Sequence, residues 1–335
     1  MRVLAAVDKF RGTATAREVA TAISNACWDL GHDCDEAPLA DGGDGTLDVL
    51  GGANRTTTVD GPLGTPVEAD WRLQGRTAVI EMARASGLVL AGGATGNDPL
   101  NATTRGTGQL IGAALGVGAR KIVVCLGGSA TTDGGLGALQ ALASTARLRG
   151  VELLVACDVT TRFTDAARVF GPQKGATPTQ VELLTGRLNA LAERYLADYG
   201  VDVREIPGAG AAGGLAGGLA AVGGRLVPGF ELVADEIDLY DRIDAADLVI
   251  TGEGHLDEQS FEGKVVGGVV GLAHMAHRPV GVIVGDGDDD VAARVGAVRL
   301  VERFGRAESL GRTAWCIEQA ARELLAGFNP RTARS

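Results

Sequence analysis

Apolar and polar positions follow two regimes along this chain. Val3 to Val7 is an unbroken apolar run, the mark of a strand buried on both faces. From Thr15 to Leu30 the apolar residues Val19, Ala20, Ile23, Ala26, Cys27 and Leu30 fall at helical spacing, and Gly31 can end the helix. A second strand is predicted over 34–39. The loop Ala40-Asp-Gly-Gly-Asp-Gly45 then opens a short helix through Val49. This is a βαβ opening, with a loop at a strand's C-terminal end, where open α/β sheets bind ligands.

Thr56 to Met82 reads differently: short strands separated by Gly61-Pro62-Leu63-Gly64 and Gln74-Gly75, an antiparallel meander. Alternation of helix and strand then resumes. Helices are predicted over 105–115, 135–147, 178–199 (Thr177 as N-cap before Pro178), 208–222, 264–274 and 309–325, the last capped by Ser309. Strands are predicted over 121–126, 151–157, 201–206, 248–251, 279–284 and 297–301, and a frayed tail over 328–335. No fixed-period repeat is present. At 335 residues the chain exceeds one core, so two domains are expected. The change of pattern near residue 50 divides it into a parallel-sheet domain, 1–50 plus 238–335, and a second domain, 51–237, that begins with the meander.

Composition narrows the function. Aromatics are 4% of residues and the formal charge is -11, so neither base stacking nor a basic footprint points to nucleic acid. An anionic substrate would need local cations, and Lys9, Arg11, Arg105, Lys174 and Lys264 are the candidates. The 51 glycines are about twice the usual share of roughly 7% and are not periodic, which fits tight turns and close approach of backbone to a ligand. Cys27, Cys34, Cys125, Cys157 and Cys316 lack CxxC spacing and read as reduced thiols. Met1 to Phe10 meets Asp8 and Lys9 too early for a signal peptide, and the Ala/Gly run 208–224 is too poor in large apolar residues for a membrane span. A soluble cytoplasmic protein is expected.

The richest stretch is Lys121-Ile-Val-Val-Cys-Leu-Gly-Gly-Ser-Ala-Thr-Thr-Asp-Gly-Gly135. A buried strand leads into a loop whose N–H groups and hydroxyls suit an anion at a helix N-terminus, and Asp133 adds a carboxylate for magnesium. Asp8, Asp41, Asp44, Asp158, Glu253 and Asp257 also follow apolar strands, so phosphate plus metal is the leading chemistry. Other motifs weigh less. Gly263-Lys264 resembles a Walker loop, but Glu258 and Val265 break the pattern. Gly208-Ala-Gly-Ala-Ala-Gly213 matches the dinucleotide fingerprint without a clear second strand and serves equally well as close helix packing. His274 and His277 lack a third ligand and read as helix C-terminal caps. His255 is a secondary candidate.

Several blocks in order resemble the type I (bacterial, two-domain) glycerate kinases: Asp8-Lys-Phe-Arg-Gly-Thr13, Ala40-Asp-Gly-Gly-Asp-Gly-Thr46, Gly127-Gly-Ser-Ala-Thr-Thr-Asp-Gly-Gly135, Ala156-Cys-Asp-Val159, Val169-Phe-Gly-Pro-Gln-Lys-Gly-Ala-Thr177, Pro207-Gly-Ala-Gly-Ala-Ala-Gly-Gly214, Asp247-Leu-Val-Ile-Thr-Gly-Glu-Gly254, and Asp257-Glu-Gln-Ser260 with Gly263-Lys264. The chain departs from typical members in a shorter connection from Ala146 to Val151 and in Thr160-Thr-Arg-Phe163, where Asp-Asn-Pro-Leu is usual.

The resemblance implies an α/β fold: a Rossmann-like parallel-sheet domain plus a second mixed α/β domain with some antiparallel strands, the active site lying in the cleft between them. It implies phosphorylation of D-glycerate, or a similar hydroxy acid, by ATP and Mg2+, usually to 2-phosphoglycerate. In that reading Gly127, Gly128, Ser129, Thr131, Gly210, Gly213 and Glu253 bind nucleotide, and Asp133 or Asp158 holds the metal. Lys9, Arg11, Arg105 and Lys264 bind substrate. Lys174 neutralises the transferred phosphoryl group. Asp8, Asp41 or Asp158 accepts the proton, Asp158 being preferred because it ends a buried strand. No nucleic-acid or membrane partner is expected, and a homodimer is one option for assembly. A non-catalytic binding paralogue and an NAD-dependent oxidoreductase are the alternatives.

Overall fold

The computed structural model describes residues 1–142 and 144–328; most of the expected tail, 329–335, lies outside them. The described strands are β1 (Arg2–Val7), β2 (Asp33–Pro38), β3 (Arg55–Asp60), β4 (Pro66–Gln74), β5 (Thr77–Glu81), β6 (Lys121–Cys125), β7 (Glu152–Ala156), β8 (Arg225–Val227), β9 (Leu248–Leu256), β10 (Val280–Gly287) and β11 (Val298–Arg299). The chain forms two compact units, one from Met1–Asp41 together with the chain from Gly229 on, the other from Gly42–Pro228.

The first unit holds a parallel five-stranded sheet, order β11-β10-β9-β1-β2. β1 is an interior strand between β9 and β2, and Val3 to Val7 are all 0% exposed, which is why the sequence shows a continuous apolar run. Helix Ala16–Asp29 covers one face with Val19, Ala20, Ile23, Ala26 and Cys27. Its start is fixed by a capping box: Thr15 Oγ1 accepts from the Glu18 N–H at 3.2 Å, and Glu18 accepts from the Thr15 N–H at 2.8 Å. This is the Rossmann-like half.

The second unit carries a six-stranded sheet, order β3-β4-β5-β6-β7-β8. β3 to β5 form the antiparallel meander, and β5 to β8 run parallel. The long helix Pro178–Tyr199 starts at Thr177, whose side chain forms a second capping box with Gln180.

Four local expectations fail, each because a side chain or turn intervenes. The helix expected over 135–147 stops as Leu136–Ala141; Ser144 then caps a separate short turn, Thr145–Leu148. Residues 201–206 form turns instead of a strand, because Asp202 accepts from both the backbone and the guanidinium of Arg204, at 3.1 and 2.7 Å. The last strand shrinks to Val298–Arg299 and the chain turns at once into helix Leu300–Phe304. Ser309 lies inside helix Arg306–Gly311 and donates back to the Gly305 carbonyl at 2.7 Å, so the final helix, Thr313–Gly327, starts without it. The three-residue β8 and the helices Gly229–Glu236 and Leu239–Asp244 were not anticipated.

Candidate active site

Parallel strands deliver their C-terminal residues to one edge of a sheet. In the first unit that edge lines a cavity of about 480 Å³. Asp8 follows β1, Asp41 lies beyond β2, Glu253 ends the buried part of β9, and Asp286 lies in β10. Neighbouring strands thus bring these acids together. Four cations, Lys9, Arg11, Lys264 and Arg306, join them. Lys9 and Arg11 belong to a tight turn closed by the reciprocal backbone bonds of Phe10 and Ala14 (2.8 and 2.9 Å), with Gly12 at φ 81°. Gly254 lets this turn approach β9: a Cβ there would lie 3.1 Å from the Arg11 nitrogen. Lys264 precedes helix Val265–Met275.

Burial sets the acid chemistry. Desolvation, with the Asp41 charge adding to it, pushes Asp8 up to about 6, against the pull of Lys9 and Arg11. Lys9 N–H donates to Asp8 Oδ1 at 2.7 Å. Glu253 rises to about 7, mainly by desolvation, with Asp8 and Asp257 adding to the rise and Lys264 opposing it. Its Oε1 is buried without a hydrogen-bond partner among the described residues. Asp257 also caps the turn Glu258–Phe261 through Ser260. Sequence reasoning assigned no site role to Asp286, Arg306 or Ser309, which line the same cavity. Asp286 carries the same signal as the others, an acid closing an apolar run, whereas Arg306 has no local signature.

The glycine loop lies in the second unit, after β6. It is tied down from all sides. Leu88 N–H donates to Gly128 O (2.7 Å), Ala130 N–H to Ser86 O (3.0 Å), Asn97 Nδ2 to Ala130 O (3.0 Å) and Tyr195 Oη to Gly134 O (3.0 Å). The N–H groups of Gly127, Gly128 and Ser129 have no partner among the described residues. Asp44 lies against this stretch: a Cβ on Gly128 would be 3.1 Å from its Oδ2. Asp158 follows β7, the strand paired in parallel with β6.

Two loop residues differ from their expected roles. Asp133 Oδ2 accepts from Thr104 N–H (2.8 Å), Thr104 Oγ1 (2.9 Å), Gly137 N–H (3.2 Å) and Thr103 Oγ1 (3.3 Å), and Oδ1 accepts from Gly135 N–H (3.1 Å). A carboxylate so occupied caps the following helix instead of offering lone pairs to a metal. That helix has only six residues, so a helix dipole adds little to anion binding. Lys174 is 2% exposed, and its Nζ donates to Ser129 Oγ (2.8 Å) and Thr131 O (2.6 Å). It supports the loop from behind.

Gly210 and Gly213 are packing positions: a Cβ on either would fall 2.4 Å from Arg162 O or 1.9 Å from Thr131 O. Close packing by itself accounts for both glycines. Arg105 Nε is paired with Asp60 Oδ2 at 2.8 Å, on the meander side of the second unit.

Glu81, at the end of β5 and 3% exposed, was missed by sequence reasoning. Its Oε1 accepts from the N–H groups of Gly45 and Leu47, both at 2.9 Å, and so anchors the Gly42–Gly45 loop. Glu81→Ala leaves a buried donor, Leu47 N–H, and a half-buried one, Gly45 N–H, unpaired and is expected to cost about 3 kcal/mol, read as a lower urea midpoint.

No three His, Cys, Asp or Glu side chains among the described residues are grouped to hold a metal ion. Magnesium is commonly held by one or two carboxylates with substrate phosphates completing its shell, and in the second unit the carboxylates of Asp44 and Asp158 are oxygen donors of that kind.

Comparison with known proteins agrees with this chemistry. The model of the Glycerate kinase family matches residues 3–147 and 143–330. The chain belongs to the glycerate kinase family. It is 40% identical to glycerate 2-kinase of Escherichia coli (strain K12) over 331 residues, 87% of each chain. It is 38% identical to glycerate kinase of Bacillus subtilis (strain 168) over 380 aligned positions, 98% of each chain. A crystal structure of a protein named as glycerate kinase 2 from Salmonella typhimurium LT2 superposes with TM-score 0.83 at 35% identity, covering 97% of both chains. The two matched segments of the glycerate kinase model meet at 143–147, beside the short Ala146–Val151 connection.

Proposed function

We propose that this glycerate kinase family enzyme transfers the terminal phosphoryl group of ATP to D-glycerate, forming 2-phosphoglycerate, with magnesium. One observation carries the reading: the first unit's cavity sets the cations Lys9, Arg11, Lys264 and Arg306 beside a desolvated carboxyl, Asp8. The Arg11 guanidinium suits bidentate capture of the glycerate carboxylate. Asp8 accepts the proton of the attacking hydroxyl: a carboxyl poised near 6 is ionised at neutral pH yet more basic than an ordinary aspartate. Asp41 keeps Asp8 basic through its charge. In the second unit, the Gly127–Ser129 amides bind triphosphate oxygens, with Asp44 or Asp158 toward the metal. Magnesium, when bound, supplies charge neutralisation on the phosphates.

The name of the E. coli relative, glycerate 2-kinase, supports the 2-hydroxyl as acceptor. The test is a coupled assay of ADP release with ATP, magnesium and D-glycerate, run beside a panel of hydroxy acids and polyols, with phosphorus NMR of the product. D-glycerate-dependent ADP release with a 2-phosphoglycerate signal is expected. Ligand-induced thermal stabilisation without ADP release would instead mark a non-catalytic binding protein.

A further inference from the structure

A lysine ammonium donates hydrogen bonds and accepts none. By donating to Ser129 Oγ at 2.8 Å, Lys174 occupies a lone pair of that hydroxyl and cannot receive its proton. Ser129 Oγ has no other hydrogen bond among the described residues, so its O–H has no acceptor within the described chain. The residue is 9% exposed, which places it at the edge of the packed interior. Beside it stand the unpartnered N–H groups of Gly127, Gly128 and Ser129 itself, with Gly128 in the left-handed region at φ 57°. Four donors without acceptors, backed by a buried ammonium, are complementary to an anion with several oxygens.

We propose that Lys174 is a positioning residue: it sets the rotor of Ser129, turning the hydroxyl proton outward to a phosphate oxygen, and does not itself meet the transferred group. The proposal rests on the reading that this loop takes the triphosphate. The support behind it is rigid. Lys174 also donates to Thr131 O, and Asn97 Nδ2 donates to the carbonyls of both Ala130 and Lys174, at 3.0 and 2.9 Å.

The arrangement carries its own pH signature. Burial pushes Lys174 down to about 7, and the Asp133 charge pulls it partly back. The Phe170 ring lies 5.9 Å from Nζ, and on the same flank Arg168 and Asp165 pair with each other at the surface. Once Nζ loses a proton it gains a lone pair, accepts from Ser129, and the hydroxyl turns inward.

The experiment titrates the full chain with inorganic tripolyphosphate by calorimetry at pH 6 and pH 9, for wild type, Ser129→Ala, Lys174→Met and the double variant. Comparing variants at one pH cancels the ligand's own titration. Ser129→Ala is expected to weaken binding about tenfold at pH 6 and less than about twofold at pH 9. On the Lys174→Met background, Ser129→Ala is expected to cost less than about twofold at either pH. The idea is overturned by a Ser129→Ala penalty equal at the two pH values, by penalties that multiply in the double variant, or by wild-type protein that does not bind tripolyphosphate. If Lys174→Met does not fold, the two-pH comparison with Ser129→Ala decides alone. Absence of ADP release from D-glycerate would sink the functional reading without touching these ratios, so the two failures are separable.

Discussion

Asp8→Asn is expected to lower kcat by about 10²- to 10⁴-fold, the range that positioned acid–base catalysis contributes, while D-glycerate binding persists. The variant keeps the shape of the side chain and removes its ability to accept a proton. In the wild type, kcat/KM is expected to rise with pH through about 6, as Asp8 ionises; the variant's residual activity should lack that limb. Stability gives a second, independent readout. The carboxyl is raised in the folded state, so the folded protein binds its proton more tightly than the unfolded chain. Stability from that proton is fully present below the ordinary carboxyl value of 3.8 and is lost as pH rises through about 6. Asn escapes this loss. Thermal melts should therefore show Asp8→Asn more stable than wild type at pH 8, with the gap closing toward pH 4. A variant with unchanged kcat, or one whose stability advantage over wild type is no larger at pH 8 than at pH 4, removes Asp8 as the desolvated base.

Gly213→Ala is expected to cost about 3 kcal/mol of stability, a fall in Tm of about 6–12 °C. Gly213 has φ 69°, and an added Cβ would meet the Thr131 carbonyl at 1.9 Å. Its own carbonyl accepts from the Gly134 N–H at 3.0 Å, so the strain falls on the loop that carries Ser129. Gly186 is the control. It lies in helix Pro178–Tyr199 with nothing within 4 Å of its would-be Cβ, and Gly186→Ala should raise stability by up to about 1 kcal/mol. Equal effects at the two sites would show that Gly213 is not held by close packing.

Much of the fold was legible because its rules are local. β1 is a continuous apolar run because both faces of an interior parallel strand are covered, and Thr15 and Thr177 announce helices because each caps its own backbone. The meander declared itself through its Gly/Pro turns. Failures came where a local competitor was invisible to pattern: Arg204 folding back on Asp202, or Ser309 bonding Gly305 from within a helix. The site was legible in part for the same reason. Acids closing apolar runs mark strand ends, and parallel strand ends share an edge, so Asp8, Asp41 and Glu253 meet.

Sequence by itself determined the family, the α/β character and the residues from which a phosphoryl-transfer site can be built, because ordered motifs and short-range periodicity survive without coordinates. Only the tertiary structure decided what each residue does. Asp133 and Lys174 look like a metal ligand and a phosphate cation in a linear reading. Folding gives one five hydrogen bonds and leaves the other 2% exposed behind Ser129. The charge of a side chain is written in the chain; whether that charge meets solvent, a ligand or a neighbouring loop depends on partners far away in sequence, through burial and hydrogen bonding.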